Sequence, residues 1–160
     1  MTNDTSTVST DPLRSQRERA CWMSLLAKAP APLLLRVASD FGALPSYLWL
    51  RQPEIGLAMV RGRSGGTGEQ FNLGEMSVTR CALRLSDGVM GVAYVAGRDR
   101  RHAELAALFD AMLQSDAAER VQQLVLQPIA AALAEQRAHS AAAAQETRVE
   151  FMTMVRGEAA

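Results

Sequence analysis

The tripeptide Ser86-Asp87-Gly88, set between two apolar runs, constrains this chain more than any other feature. Asp bonds the backbone two residues on and Gly accepts a positive φ, so this turn closes hairpins. Residues 76–85 and 89–96 are therefore expected to pair as antiparallel strands, and the fold must be built around a sheet. The second run is apolar except at Gly91 and the Tyr94 hydroxyl, which predicts a central strand covered on both faces. On the first, Arg80 and Arg84 share one face, with Thr79, Cys81, Leu83 and Leu85 on or near the other. Two arginines on an otherwise apolar sheet require water, a carboxylate or an anion.

Helical patterns flank this core. From Pro12 to Lys28, Cys21, Trp22, Leu25 and Leu26 fall on one side, and Arg14, Arg17, Glu18 and Lys28 on the other. Pro30 and Pro32 break the chain, and Leu34, Val37, Ala38 and Phe41 repeat as a second helix that stops at Gly42. A helical hairpin is expected, behind a disordered tail over residues 1–11. Residues 44–54 read as a short strand or a turn, 55–63 as a strand, and 69–73 as a short strand interrupted by Gly74. After Gly97, Asp99 caps a helix to about Gln114, with Leu105, Leu108, Phe109, Met112 and Leu113 as its apolar stripe. Asp116-x-x-Glu119 resembles a capping box, and Pro128 kinks or restarts the helix that follows. An alanine-rich helix then runs to about Glu146, favourable locally but able to bury little area. At the end, Phe151, Met152, Met154, Val155 and Arg156 belong to a strand with large apolar residues on both faces. Such a strand inserts into its own sheet or pairs with another chain, which makes these five candidate partner contacts. The architecture expected is α+β, a single domain over residues 12–160.

Composition closes several routes. The 160 residues are 48% apolar with 17 basic and 17 acidic side chains, so the chain folds and carries no net charge. That balance argues against a nucleic-acid partner, although Arg98, Arg100 and Arg101 form a local basic cluster. Cys21 and Cys81 stand sixty positions apart in apolar surroundings, which favours buried free thiols and a cytoplasmic protein. No spacing of ligands suggests a metal, and no apolar run approaches the ~20 residues that cross a membrane.

The segment Arg61-Gly-Arg-Ser-Gly-Gly-Thr-Gly-Glu-Gln-Phe71 has the composition of a loop that wraps a phosphate. A Walker loop needs GxxxxGK[ST] between a strand and a helix, whereas Gly68 here precedes Glu69-Gln70 and another strand. The dinucleotide fingerprint fails as well. Two readings stay open: a plain hairpin loop, or anion contact through Arg61, Arg63, Gly65, Gly66, Thr67 and Gly68. Outside the loop, Arg80, Arg98 and His102 are further candidates for anion or substrate contact. His102 is otherwise a solvated or capping residue and His139 a surface one. No nucleophile elbow or paired carboxylates stand out. Arg80, Asp99, His102 and Glu104 would form the polar cluster of a stand-alone enzyme. A pure anion-binding module would instead close the glycine loop over its ligand.

Several segments together resemble one family. They are Trp22-Met-Ser-Leu-Leu-Ala27, Gly65-Gly-Thr-Gly-Glu-Gln-Phe71, Val78-Thr-Arg-Cys-Ala82, Arg84-Leu-Ser-Asp-Gly88, Gly97-Arg-Asp-Arg-Arg-His-Ala-Glu104, Ala107-Leu-Phe-Asp-Ala-Met112 and Phe151-Met-Thr-Met-Val-Arg-Gly157. The ordered set, from about residue 20 onward, is similar to the PhnG subunits of bacterial carbon–phosphorus lyase systems. The resemblance implies a hetero-oligomer with PhnH, PhnI and PhnJ subunits, and with PhnL for activity. It implies a role in coupling a phosphonate to ribose C1 of ATP with release of adenine. ATP would be used by the complex, and the iron–sulfur cluster and S-adenosylmethionine would belong to the PhnJ subunit, with no cofactor on this chain. The resemblance brings no catalytic residue with it.

Overall fold

The computed structural model describes residues 12–146. The expected tail over 1–11 and the expected strand carrying Phe151, Met152, Met154, Val155 and Arg156 lie outside the described residues. Helices α1 (Pro12–Lys28) and α2 (Ala31–Phe41) lead into β1 (Tyr47–Arg63), β2 (Gln70–Leu85) and β3 (Met90–Ala96). Helix α3 (Arg100–Met112), a short α4 (Ala118–Val121), a π-helical turn (Gln122–Leu126) and α5 (Gln127–Glu146) follow. The three strands form one antiparallel sheet in the order β1-β2-β3, so the fold is α+β as expected.

One face of the sheet carries the core. Thr79, Cys81, Leu83, Leu85, Ala93 and Val95 are buried there beneath α3. Leu105, Leu108, Phe109 and Met112, all on the apolar stripe of α3, are buried with them. Helices α1 and α2 each pack on α3 rather than along one another. The Phe41 ring meets Phe109 edge-on at 6.0 Å, and Arg120 lies 4.4 Å over Phe41 while donating to its carbonyl at 2.9 Å. Asp99 caps α3 by accepting from the His102 N–H at 2.9 Å, as its position before the apolar stripe implies.

Several expectations are corrected. Strand β3 is an edge, not a centre, and its burial alternates, with Met90 and Tyr94 exposed. Its apolar composition has another cause. A Cβ on Gly91 would lie 1.9 Å from the Ala107 carbonyl oxygen, so the strand uses small residues because α3 lies directly on it. Within residues 44–63, Tyr47–Arg63 form one long strand rather than a short strand or turn followed by a separate strand. Pro53 is tolerated because β1 is an edge, and the register shifts between Arg51 and Glu54. Gly74 does not interrupt β2. The Asp116 capping box is absent, since Ala117 is the N-cap and makes no side-chain bond. Pro128, expected to kink or restart the helix, is the second residue of α5 and stands where the α-helix restarts after a π-helical turn. It lacks an N–H to continue the ordinary ladder, and the π turn just before it, with Gln127 donating to Gln122, carries the chain past. Cys81 is buried but Cys21 is exposed, because α1 turns its Leu26 side to the core and its Cys21 side to an open groove shared with Leu133, Gln136 and Arg137 of α5.

Candidate interaction surface

The predicted polar residues do not converge. Gly65 and Gly66 take positive φ (61° and 80°) at the tip of the β1–β2 hairpin. There the Gly68 N–H donates to the Ser64 carbonyl at 2.9 Å, and Arg63 donates to the Gly68 carbonyl at 3.0 Å. A Cβ on Gly68 would sit 2.6 Å from the Ser64 oxygen, so the tip is closed on itself and has spent one of its two arginines. Arg61 and Thr67 are exposed beside it. Arg98 stands at the other end of the hairpin, after Gly97, whose N–H bonds the Ser77 carbonyl at 2.8 Å. Seven strand positions separate Ser77 from Gln70, roughly 23 Å at the usual strand rise.

The imagined catalytic cluster is likewise divided. Arg80 lies on the open face of the sheet, bound to Glu54 at 2.7 Å, and Arg51 reaches the same carboxylate at 3.0 Å. The carboxylate that an apolar sheet face demanded for Arg80 is therefore Glu54. His102 is on the opposite, helical side. It is neither solvated nor a cap through its side chain: the ring is buried, with Nε2 2.8 Å from the Leu26 carbonyl oxygen. Glu104 accepts from Arg101 at 2.6 Å and from the Tyr47 hydroxyl at 2.5 Å. Burial, and then that bond to Glu104, push the Tyr47 hydroxyl up to about 12. Burial, with a smaller push from the Glu104 charge, raises the Cys81 thiol to about 12 as well. Cys81 is thus a neutral thiol that donates to the Ala103 carbonyl at 3.1 Å, and no thiolate nucleophile.

One polar centre went unread in the sequence. Asp110 is fully buried in α3 and accepts four bonds. Arg19 Nε (3.2 Å) and Trp22 Nε1 (2.8 Å) reach Oδ1, and the other Arg19 nitrogen (2.8 Å) and the Val92 N–H (3.0 Å) reach Oδ2. Gln114 and Arg19 also meet the Met90 carbonyl, at 3.0 and 3.4 Å. Together these side chains clamp α1 and α3 onto the free edge of β3. The available signal was an acid inside the apolar run Leu108-Phe-Asp-Ala-Met112. With every oxygen site taken, Asp110 holds the fold and has no capacity left for a substrate.

What stays open is apolar. Beyond the Val78–Ala96 pair β2 has, among the described residues, only β1 as a neighbour, so β1 and β2 continue as a two-stranded arm from Gly56/Val78 to Arg63/Gln70. At the usual rise it is ~25 Å long. Leu57, Met59, Phe71, Leu73 and Met76 are exposed along it, and Leu48, Leu50, Met90 and Tyr94 are exposed on the sheet nearer the body. From Ala134 to Glu146, α5 is exposed all round. Among the described residues, no group of three or more His, Cys, Asp or Glu could hold a metal, and no helix is long and apolar enough to cross a membrane.

A small α+β domain whose buried polar side chains, among the described residues, are internally satisfied and which exposes a long apolar arm is built to bind other protein. The comparisons agree in kind. Residues 17–157 match the family described as phosphonate metabolism protein PhnG. A relative from Rhizobium meliloti (strain 1021) is 42% identical over 136 residues, covering 85% of this chain and 87% of its own. That relative is the alpha-D-ribose 1-methylphosphonate 5-triphosphate synthase subunit PhnG. The chain belongs to the PhnG family.

Proposed function

We propose that this protein is a subunit, not catalytic on its own, of a cytoplasmic carbon–phosphorus lyase assembly. In that assembly it would help couple methylphosphonate to ribose C1 of ATP, with displacement of adenine. The 42% identity to a named synthase subunit over most of both chains carries this reading. The geometry supports it from the other side, since the arm exposes more large apolar residues than a monomer has use for. PhnI- and PhnH-type subunits are its partners, with PhnJ in the same core and PhnL needed for activity. ATP is the substrate of the whole, while the iron–sulfur cluster and S-adenosylmethionine of the later bond-breaking step sit on the PhnJ subunit. The chain holds no cofactor of its own. Phe151, Met152, Met154, Val155 and Arg156 are further contacts to partners.

The test is light scattering on the chain alone and co-expressed with PhnI- and PhnH-type subunits, followed by an assay of adenine release from ATP and methylphosphonate. A joint particle and adenine release that both depend on this chain are expected. A stable monomer that ignores the other subunits would sink the proposal.

A further inference from the structure

One corner of the molecule is bounded by features that the fold leaves unused. Helix α3 starts at Arg100, so among the described residues nothing packs on the inner face of the hairpin beyond Val78. Leu57 pairs with Ser77 and Met59 with Glu75, on the face that carries buried Thr79 and Cys81 farther down. They form a shelf, Leu57 66% and Met59 53% exposed. At its foot Gly97 is fixed by the Ser77 carbonyl and by the Thr79 hydroxyl, which donates to the Gly97 carbonyl at 2.9 Å. The next residues present Arg98, Arg100 and Arg101.

Two of these cations lack acids. Arg98 and Arg100 are exposed and make no ion pair or side-chain hydrogen bond among the described residues. Asp99 is occupied as the cap of α3, and Glu104 is shared by Arg101 and Tyr47. Glu75, the nearest acid on the arm by register, pairs with none of them. Lys28 ends α1 at the same end, where Leu26 meets His102. Helix α5 runs alongside α1 in the same direction: Leu126 and Ala130 face Trp22 and Leu25, and Gln136 and Arg137 face Ser24 and Lys28. It passes Pro30 near Ser140 and continues to Glu146, roughly 9 Å farther at the helical rise. The arm and the exposed end of α5 thus project from the same end of the domain as the basic corner.

We propose that this corner is a docking surface for a partner subunit of the synthase, one that brings acidic side chains flanked by large apolar ones. The inference rests on the subunit reading and adds the chemistry of the partner's surface. An apolar shelf alone would fit many occupants. The unpaired guanidiniums beside it narrow the choice, because covering the shelf desolvates them and only an opposing carboxylate compensates that cost. Arginine also matches a carboxylate with a two-pronged geometry that a partner can read. A nucleic acid has phosphates for the arginines but nothing for Leu57 and Met59.

The experiment is co-purification of the full chain through a tag on a co-expressed PhnI- or PhnH-type subunit. Three variants are compared with wild type: Arg98→Glu/Arg100→Glu, Arg98→Lys/Arg100→Lys, and Leu57→Ser/Met59→Ser. All three change exposed residues, and thermal melting of each isolated chain checks that the fold survives. Charge reversal and the shelf change are each expected to lower recovery by about tenfold or more, while the lysine pair keeps most of it. Wild-type recovery should fall as salt is raised from about 0.05 to 0.5 M. Equal recovery of the charge-reversed chain and wild type overturns the proposal and leaves the subunit reading intact. A charge-reversed complex that assembles fully but no longer releases adenine overturns it too, and hands the arginines to the substrate's phosphates. Failure of wild type itself to co-purify removes the subunit reading, and this inference with it.

Discussion

Between Val78 and Leu85, β2 lies beneath α3 with a strand on each side; between Gln70 and Ser77 the same strand has, among the described residues, only β1 beside it. In the first half every second residue is buried, whereas in the second none is. Both halves are comparably rich in large apolar side chains. The body therefore spends its apolar residues on its own core, and the arm offers them to something else. A change in the body should act on stability and a change in the arm on association. Each substitution below asks whether that division is real.

Gly91→Val should be the most damaging. Its Cβ would fall 1.9 Å from the Ala107 carbonyl oxygen and 2.9 Å from the Ala111 Cβ, so α3 must lift from the sheet. A loss of more than about 4 kcal/mol is expected, beyond the usual range for overpacking, and little folded protein should be recovered. A wild-type urea midpoint would mean that α3 is not held on β3 as described. Asp110→Ala comes next. It strands the Trp22 and Val92 N–H groups and the Arg19 charge, for about 3 kcal/mol, the low end for a broken buried pair because Arg19 is partly solvated. Urea unfolding measures it, and a loss under about 1 kcal/mol would show that the clamp on β3 is incidental.

On the arm the expectation reverses. Phe71→Ser/Leu73→Ser should shift stability by no more than about 0.5 kcal/mol, because both side chains already sit in water. The same change should improve the solubility of the isolated chain and weaken its assembly with the other subunits at least about tenfold. Sedimentation of the co-expressed mixture reads this directly. A destabilised chain that still assembles would place the arm in the body's own core and erase the distinction drawn above.

The division was only half visible in the sequence. The Ser86-Asp87-Gly88 turn, the Asp99 cap and the α3 stripe were readable, since each depends on neighbours in the chain. Strand β3 misled because an apolar strand covered on both faces and a strand of small residues pressed against a helix have similar composition. The distinction rests on Ala107, sixteen positions away. His102 and Asp110 were misread or missed for a related reason. Their partners are the Leu26 carbonyl and residues of α1, brought together only by the packing of α1 on α3. The arm was invisible because exposure of Leu57 or Leu73 is set by where β3 ends, and nothing within residues 55–77 records that. The glycine loop drew attention because its composition is unusual; the structure places it at the turn of a hairpin, which accords with one of the two readings that the sequence left open.

The smallest effect tests the body's polar boundary through pH. Tyr47 and Cys81 are both neutral when protonated, and burial raises both to about 12 from ordinary values of 10.0 and 9.0. The unfolded chain therefore releases the Cys81 proton near pH 9 and the Tyr47 proton near pH 10, while the folded chain keeps both until about 12. Below pH 9 their contribution is fully present. Above it the unfolded state binds fewer protons than the native one, and stability falls as pH rises toward 12. The melting temperature of wild type should thus decline between pH 8.5 and 11. Tyr47→Phe/Cys81→Ala should start lower at pH 8, by about 1 kcal/mol for each lost hydrogen bond, and then decline less steeply. Parallel slopes would mean that other groups carry the alkaline loss, and that the Tyr47–Glu104 contact at the edge of the body is open to water as the arm is.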